Sequence, residues 1–250
     1  MLPPIVRAIY CAPTMTSKQK DIALGRQRFS ARASGALWWA AERLLAFADL
    51  HLEKGTSYAT HGSLLPPYDT RDTLMRMAAE IERLDPATVV CLGDSFHDLG
   101  AWARMQDEDA ALLAALAHGR CWIWIAGNHD TELPAALPGA VQEEFERSGT
   151  VLRHRANGGT PPCEISGHFH PKVSVHASGK VVVRRAFIED GHRLVLPAFG
   201  AYTGGLDADN DALRPLFPRG FRAHVLGRTG VYSLAQRGTP RLQPRSSLAS

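Results

Sequence analysis

The chain has 250 residues, is 45% hydrophobic and 21% charged, and carries a net charge of +3. These values suit one globular domain with a sizeable core and exclude a low-complexity or fibrous chain. No run of eighteen apolar residues occurs, which excludes a spanning helix, and four widely spaced cysteines without a Cys-x-x-Cys pair argue against a disulfide framework.

Residues 1–22, with Pro, Ser, Thr and Lys and no clear period, read as a weakly structured extension. Pro3, Pro4 and Pro13 interrupt any signal-peptide core, so the expected location is cytoplasmic. The main domain is expected over residues 23–236, and residues 237–250, rich in Arg, Pro and Ser, as a disordered tail. Gln27 to Ala33 alternates and ends at the turn signal Ser34-Gly35; Ala36 to Trp39 and Arg43 to Ala48 follow as short strands. Residues 50–68 read as a long loop. The spacing of Leu74, Met77, Ala78, Ile81 and Leu84 predicts a helix stopped by Asp85-Pro86. Ala87 to Leu92 and Trp122 to Ala126 read as buried parallel strands, and Asp107 to His118 as an Ala/Leu helix between them.

Residues 131–149 read as a Pro-rich loop and a short acidic helix ending at Ser148-Gly149. Thr150 to Arg155 and Cys163 to Ser166 are short strands; 172–176, 180–187 and 193–196 read as antiparallel strands, and 221–226 with 231–235 as a last hairpin. Cys91 and Cys121, inside apolar runs, are expected to be reduced core residues, and Trp38, Trp39, Trp122 and Trp124 to be core or interface residues. Early β-α-β crossovers followed by hairpins predict an α/β sandwich with mixed sheets.

Five of the strand-like runs end in candidate ligands. They give Asp49-Leu-His51, Gly93-Asp94, Gly127-Asn128-His129, His154, and Gly167-His168-Phe-His170. In extended backbone, residues i and i+2 project to one side, so Asp49 with His51 and His168 with His170 are each expected to aim two donors into one site. Glycines before Asp94, Asn128 and His168 permit tight exits and close backbone approach. The set Asp49, His51, Asp94, Asn128, His154, His168 and His170 mixes oxygen and nitrogen donors without thiolate. That suits Mn first, with Fe, Zn or Co as alternatives. Seven donors exceed one tetrahedral site; with one bridging carboxylate they fit two ions about 3.5–4 Å apart, the arrangement used for displacement at phosphorus.

These motifs, in this order, resemble the calcineurin-like metallophosphoesterase superfamily. The resemblance implies a four-layer α/β/β/α sandwich of two mixed β-sheets with a dimetal site at the strand ends. It implies that Asp49, His51 and His170 hold one ion, that Asn128, His154 and His168 hold the other, that Asp94 bridges, and that His129 is the general acid. Where many members carry an Asp three residues after the bridging Asp, this chain has His97 followed by Asp98. Those two are candidates to orient His129 or to touch the phosphate. Ser34-Gly-Ala-Leu-Trp-Trp39, Ala48-Asp-Leu-His-Leu-Glu-Lys-Gly55 and Leu196-Pro-Ala-Phe-Gly-Ala-Tyr-Thr-Gly-Gly205 are similar to the ligase-associated DNA damage response endonucleases of the PdeM family. That likeness implies a phosphodiesterase linked to bacterial DNA repair and associated with an ATP-dependent DNA ligase, a helicase and a nuclease. Two other readings stand beside it: a phosphatase or diesterase acting on a nucleotide or other small phosphate, and a non-catalytic scaffold of the same fold.

Charge is uneven along the chain. Residues 1–150 carry 14 Lys/Arg against 19 Asp/Glu, a net of −5, and residues 151–250 carry 14 against 6, a net of +8. A basic C-terminal part is consistent with an anionic partner such as weakly held, sequence-independent DNA. Arg184 and Arg185, beside a strand, read as solvated rather than phosphate-binding, and the Gly-rich stretch 196–205 as a turn or as a flank of the site.

Overall fold

The computed structural model describes residues 19–63, 65–158, 163–177 and 180–237. Expectations for residues 1–14, for the tail beyond Arg237 and for the turn at Ser178-Gly179 lie outside the described residues. Two mixed sheets stack face to face. The first runs in the order β1 (Lys20–Leu24), β2 (Gln27–Ala31), β3 (Leu37–Trp39), β4 (Leu44–Phe47), β5 (Thr88–Leu92), β6 (Cys121–Ile125) and β7 (Ala140–Gln142). Its first four strands pair antiparallel, and β4 to β7 run parallel. The second sheet contains β8 (Glu144–Arg147), β9 (Thr150–Arg153), β10 (Glu164–Ser166), β11 (Lys172–Ala177), β12 (Lys180–Glu189), β13 (Arg193–Val195), β14 (Phe221–Leu226) and β15 (Val231–Arg237). Its order is β15-β14-β12-β13-β10-β9-β8, with β11 paired to β12.

The central strands are apolar on both faces because both faces are covered. Leu45, Phe47, Val89, Cys91, Trp122 and Trp124 point toward the outer helices. Their neighbours Leu44, Ala46, Val90, Leu92, Ile123 and Ile125 point between the sheets, onto Leu152, Ile165, Phe187 and Leu194. Helices α2 (Asp69–Leu84) and α4 (Asp107–Ala117) cover the first sheet; α1 (Lys54–Thr60) and the single turn α3 (Ala101–Arg104) lie at its ligand-bearing end. Leu74, Met77, Ala78 and Ile81 of α2 face the core, as their spacing predicts. Asp85 ends α2 in the left-handed region, its N–H donating to the Ile81 carbonyl, and Pro86 forbids continuation. On the far side of the second sheet, Val173, Ala186, Ile188 and Val195 pack under residues 208–217, which include a 3-10 turn at Arg214–Leu216.

Several local expectations are corrected. Structure begins within the stretch read as weakly ordered: Lys20–Leu24 pairs with Gln27–Ala31, burying Ile22 and Leu24. The predicted loop 50–68 contains α1. The acidic segment before Ser148-Gly149 is not a helix but β7 and β8. Ser148 and Gly149 both have positive φ, 48° and 74°, and Arg147 pairs with Thr150, so the two residues are a tight hairpin turn rather than a helix stop. Cys91 is buried, but Cys121, first in its strand, is exposed. Trp39, Trp122 and Trp124 are core residues as expected, and Trp38 packs at the core's edge. Among the described residues, no helix is long and apolar enough to cross a membrane.

Candidate metal centre

The candidate ligands converge at the ends of β4, β5, β6, β9 and β10. The β4 and β5 exits stay paired beyond the strands. Asp49 N–H donates to the Gly93 carbonyl (3.3 Å), His51 N–H to the Asp94 carbonyl (2.9 Å) and Leu52 N–H to the Ser95 carbonyl (2.9 Å). This ladder sets the Asp49-x-His51 pair beside Asp94. The expected extended geometry is not what aims the pairs. Asp49, His51, Asp94, His168 and His170 have φ of 52°, 44°, 45°, 70° and 47°. Each is a non-glycine residue in the left-handed region, which is costly and clusters at functional sites. The chain coils tightly at each strand exit, and that coiling turns both donors of a pair inward.

The glycines at these exits are required by proximity. A Cβ on Gly93 would collide with the His154 ring, and one on Gly127 with the Asp94 backbone and carboxylate. A Cβ on Gly167 would lie 2.6 Å from Asp49 Oδ2. Only the absence of a side chain lets three exits approach this closely.

Two adjoining donor clusters result. One comprises Asp49, His51, Asp94 and His170, the other Asp94, His154 and His168. Asp94 belongs to both: Oδ2 lies 3.9 Å from His51 Nε2, and Oδ1 lies 3.5 Å from His154 Nε2. Within the first cluster His170 Nε2 is 3.2 Å from Asp49 Oδ1 and 3.4 Å from His51 Nε2. Within the second, His154 Nε2 is 2.9 Å from Asn128 Oδ1 and 3.1 Å from His168 Nδ1. Metal–ligand bonds of about 2.0–2.2 Å give tetrahedral edges of roughly 3.3–3.6 Å, close to these separations. The residues present therefore fit divalent cations held by oxygen and nitrogen donors.

Burial and outer contacts prepare the donors. Asp49 is fully buried, and Asp94, His51 and His154 nearly so. The Asp49 carboxylate accepts the His168 N–H at 3.0 Å. His154 Nδ1 donates to the Leu92 carbonyl at 2.9 Å, which leaves Nε2 as the free lone pair on the site side. Burial, with His170 and His129 alongside, pushes His51 down to about 2, and burial with His154 alongside lowers His168. Both rings stay neutral, the form in which an imidazole ligates.

His129 stands exposed at the mouth, its ring 5.0 Å from that of His51. Its Nδ1 donates to the His97 carbonyl at 2.9 Å, so the backbone of residue 97 helps to orient it. The His97 ring stacks on His129 at 5.4 Å and on Tyr58 at 5.9 Å, and sits 3.4 Å from His51 Nδ1. Asp98 is committed elsewhere: it accepts from Arg104 (2.7 Å) and from the Gly100 N–H (2.9 Å).

Asp130, which follows His129 and is absent from the predicted ligand set, holds the loops together. Its Oδ1 accepts the Gly127 N–H (2.9 Å), and its Oδ2 accepts those of Ser95 (2.7 Å) and Phe96 (3.0 Å). Its signal in sequence was a carboxylate in the turn that follows an apolar run, where backbone donors need an internal acceptor. The 196–205 stretch does flank the site. Phe199 and Gly200 donate to the Ala48 and Asp49 carbonyls at 2.8 and 3.2 Å, and a Cβ on Gly205 would strike the His170 carbonyl. His224 is not a site residue; it is buried between Ser233 and Glu189.

The model of the calcineurin-like phosphoesterase family matches residues 42–192, more than half of the chain. The crystal structure of Pseudomonas putida nuclease MPE is similar at a TM-score of 0.69 and 27% identity, covering 87% of this chain and all of that one. Two further matches are the phosphoesterase Yfce from E. coli, with TM-score 0.38, 14% identity and coverage of 78% and 99%, and a predicted phosphoesterase from Streptococcus pneumoniae, with TM-score 0.30, 14% identity and coverage of 78% and 97%. No curated protein matches. The chain belongs to the calcineurin-like phosphoesterases, dimetal-dependent hydrolases of phosphoesters.

Proposed function

We propose that the protein is a phosphodiesterase that cleaves DNA, with Asp49, His51 and His170 holding one divalent ion, Asn128, His154 and His168 a second, and Asp94 shared between them. The observation that carries this reading is the division of the Asp94 carboxylate, one oxygen toward each donor cluster. When bound, such a pair of ions supplies a water of lowered pKa and neutralises charge on the phosphoryl oxygens. His129 is the general acid. Because Nδ1 is spent on the His97 carbonyl, the proton it gives to the leaving oxygen comes from Nε2 of the doubly protonated ring. Its position at the mouth lets solvent return that proton. The stack of Tyr58, His97 and His129 keeps the acid's ring plane constant while the substrate changes.

The nuclease activity named for the similar Pseudomonas putida protein supports a nucleic acid over a small phosphate. Mn is the resident metal in this reading, on the strength of the mixed oxygen and nitrogen donors. The cellular setting is a cytoplasmic repair system with an ATP-dependent ligase, a helicase and a nuclease. The domain runs from β1 at Lys20 to β15 at Arg237. The test is hydrolysis of bis(p-nitrophenyl) phosphate and of DNA after chelation and after return of Mn, with bound metal counted. Chelated protein is expected to be inactive and to regain activity with two ions per chain; full activity in chelated protein would sink the proposal.

A further inference from the structure

Beside the metal centre lies a concavity of about 510 Å³, whose lining includes Lys172, Arg184, Arg185, Ala201, Thr203 and Arg228. Four of these side chains are cationic and none is acidic. Among the described residues, Lys172, Arg184, Arg185 and Arg228 form no ion pair with a carboxylate. Arg185 feels the attraction of Asp72, but Lys172, Arg184 and Arg228 share the hollow without an ion-paired carboxylate and repel one another. That arrangement is expected where an anion is bound, because fold stability alone gains nothing from it.

The hollow is coupled to the site by chain connectivity. Lys172 follows the ligand His170 by two residues, and its aliphatic stem lies against Gly205, whose backbone abuts the His170 carbonyl. Ala201 and Thr203 continue the segment that donates to Asp49 through Gly200. Lys172 pairs directly with Arg185 across β11 and β12, and Arg184 is next along β12. Arg185 plays a different part from the others: it donates to the Ala198 carbonyl at 2.8 Å and is half-buried, so it braces the shared wall. Burial, with Arg76 nearby and against the attraction of Asp72, brings its guanidinium down to about 10. Arg184 and Arg228 are exposed. Arg184 is solvated, as its sequence context predicts, whereas Arg185 is not, and the fold brings Lys172 and Arg228 beside Arg184 in the hollow.

We propose that this basic hollow is a strand-binding track. On this view Lys172, Arg184 and Arg228 hold backbone phosphates of the DNA strand adjacent to the phosphodiester being cleaved. The track deepens the DNA reading of the metal centre and rests on it. It selects a polynucleotide over a small diester without reading bases: it presents cations for phosphates and no flat aromatic for stacking. A small diester has no neighbouring phosphates and gains nothing from it.

The experiment compares the full-length wild type with Lys172→Ala, Arg184→Ala, Arg228→Ala and the triple variant, all loaded with Mn. The substrates are a single-stranded oligonucleotide and bis(p-nitrophenyl) phosphate. The expected result is a tenfold or larger rise in KM for the oligonucleotide in the triple variant, with kcat and the small-diester kcat/KM changing far less. The salt dependence of oligonucleotide binding should flatten by roughly 0.7 in log–log slope for each contact removed, about two for the triple variant. Lysine or arginine exchanges that keep the charge, Lys172→Arg and Arg184→Lys, should recover most of the KM. An unchanged oligonucleotide KM and salt slope would overturn the track, as would equal losses on both substrates, which would mean a structural role. A wild type that hydrolyses the small diester but neither binds nor cuts the oligonucleotide would also overturn it while leaving the phosphodiesterase chemistry intact. Inactivity of the Mn-loaded wild type on both substrates would instead defeat the reading of the metal centre.

Discussion

Replacing Asp130 separates loop architecture from metal ligation. Asp130 is 1% exposed, and its carboxylate accepts three backbone N–H groups, one on Oδ1 and two on Oδ2. Asp130→Ala leaves the Gly127, Ser95 and Phe96 donors buried without partners, at roughly 1–3 kcal/mol each. Against that loss stands the relief of removing a buried carboxylate near Asp94, since burial raises the pKa of Asp130 and Asp94 adds to the rise. A net destabilisation of about 3–6 kcal/mol is expected for Ala. Asp130→Asn keeps one acceptor oxygen. Turned toward Ser95 and Phe96, it loses only the Gly127 bond and sets an N–H against an N–H, a loss of about 1–3 kcal/mol. Urea unfolding of metal-free protein measures this through a shift of midpoint at constant m-value. Because Gly127 precedes Asn128 and Ser95 follows Asp94, metal affinity should fall in the same order, Ala more than Asn. The reasoning is refuted if both variants unfold within about 0.5 kcal/mol of the wild type. It is equally refuted if Ala loses metal with no loss of stability, since that would make Asp130 a ligand.

Other outcomes follow from the same geometry. His129→Ala should lower the rate by ~10²–10⁴ while two ions remain bound by elemental analysis, whereas Asp94→Ala should lose metal because both clusters share that carboxylate; an emptied site in His129→Ala would reverse the role given to it. Gly167→Ala places a methyl 2.6 Å from Asp49 Oδ2 and 3.0 Å from Ala48 Cβ, so metal affinity should drop sharply; titration showing wild-type affinity would mean that the exits are less constrained than the geometry requires. A chain of residues 15–237 should stay folded and active on small diesters, because residues 1–14 and 238–250 carry none of the predicted ligands; insoluble protein on trimming would contradict this. DNA binding by the wild type should be weak, independent of sequence and steeply weakened by salt, and a filter-binding titration that found tight preference for one sequence would count against it.

Which residues meet at the site was legible in the chain, because the signal is local. An apolar run too short for a helix, ending in glycine and then a donor, marks a buried strand whose end faces a crevice. Three such runs, with two more that end in a donor without the glycine, carried Asp49, His51, Asp94, Asn128, His129, His154, His168 and His170, and the fold collects all of them. The alternation of inner and outer faces along β4, β5 and β6 followed from the same runs, since strands buried on both faces must be apolar throughout. Other features were not legible because they depend on what approaches from elsewhere. Residues 140–147 have the charge of a solvated helix, yet pairing with β6 and β9 makes them strands: edge hydrogen bonds outweigh weak helix propensity. The donor pairs reach the site by left-handed coiling rather than by extended alternation, because the β4 and β5 exits keep a shared ladder that the sequence does not display. His129 found its partner in a carbonyl, which every residue possesses and no motif can announce. The basic hollow likewise joins Lys172 and Arg184 to Arg228, more than forty residues further along the chain. Local pattern determined the candidate ligands and the layers that present them. The strain at the exits, the stapling by Asp130 and the charge gathered beside the metals arose only when distant backbone and side chains were packed against one another.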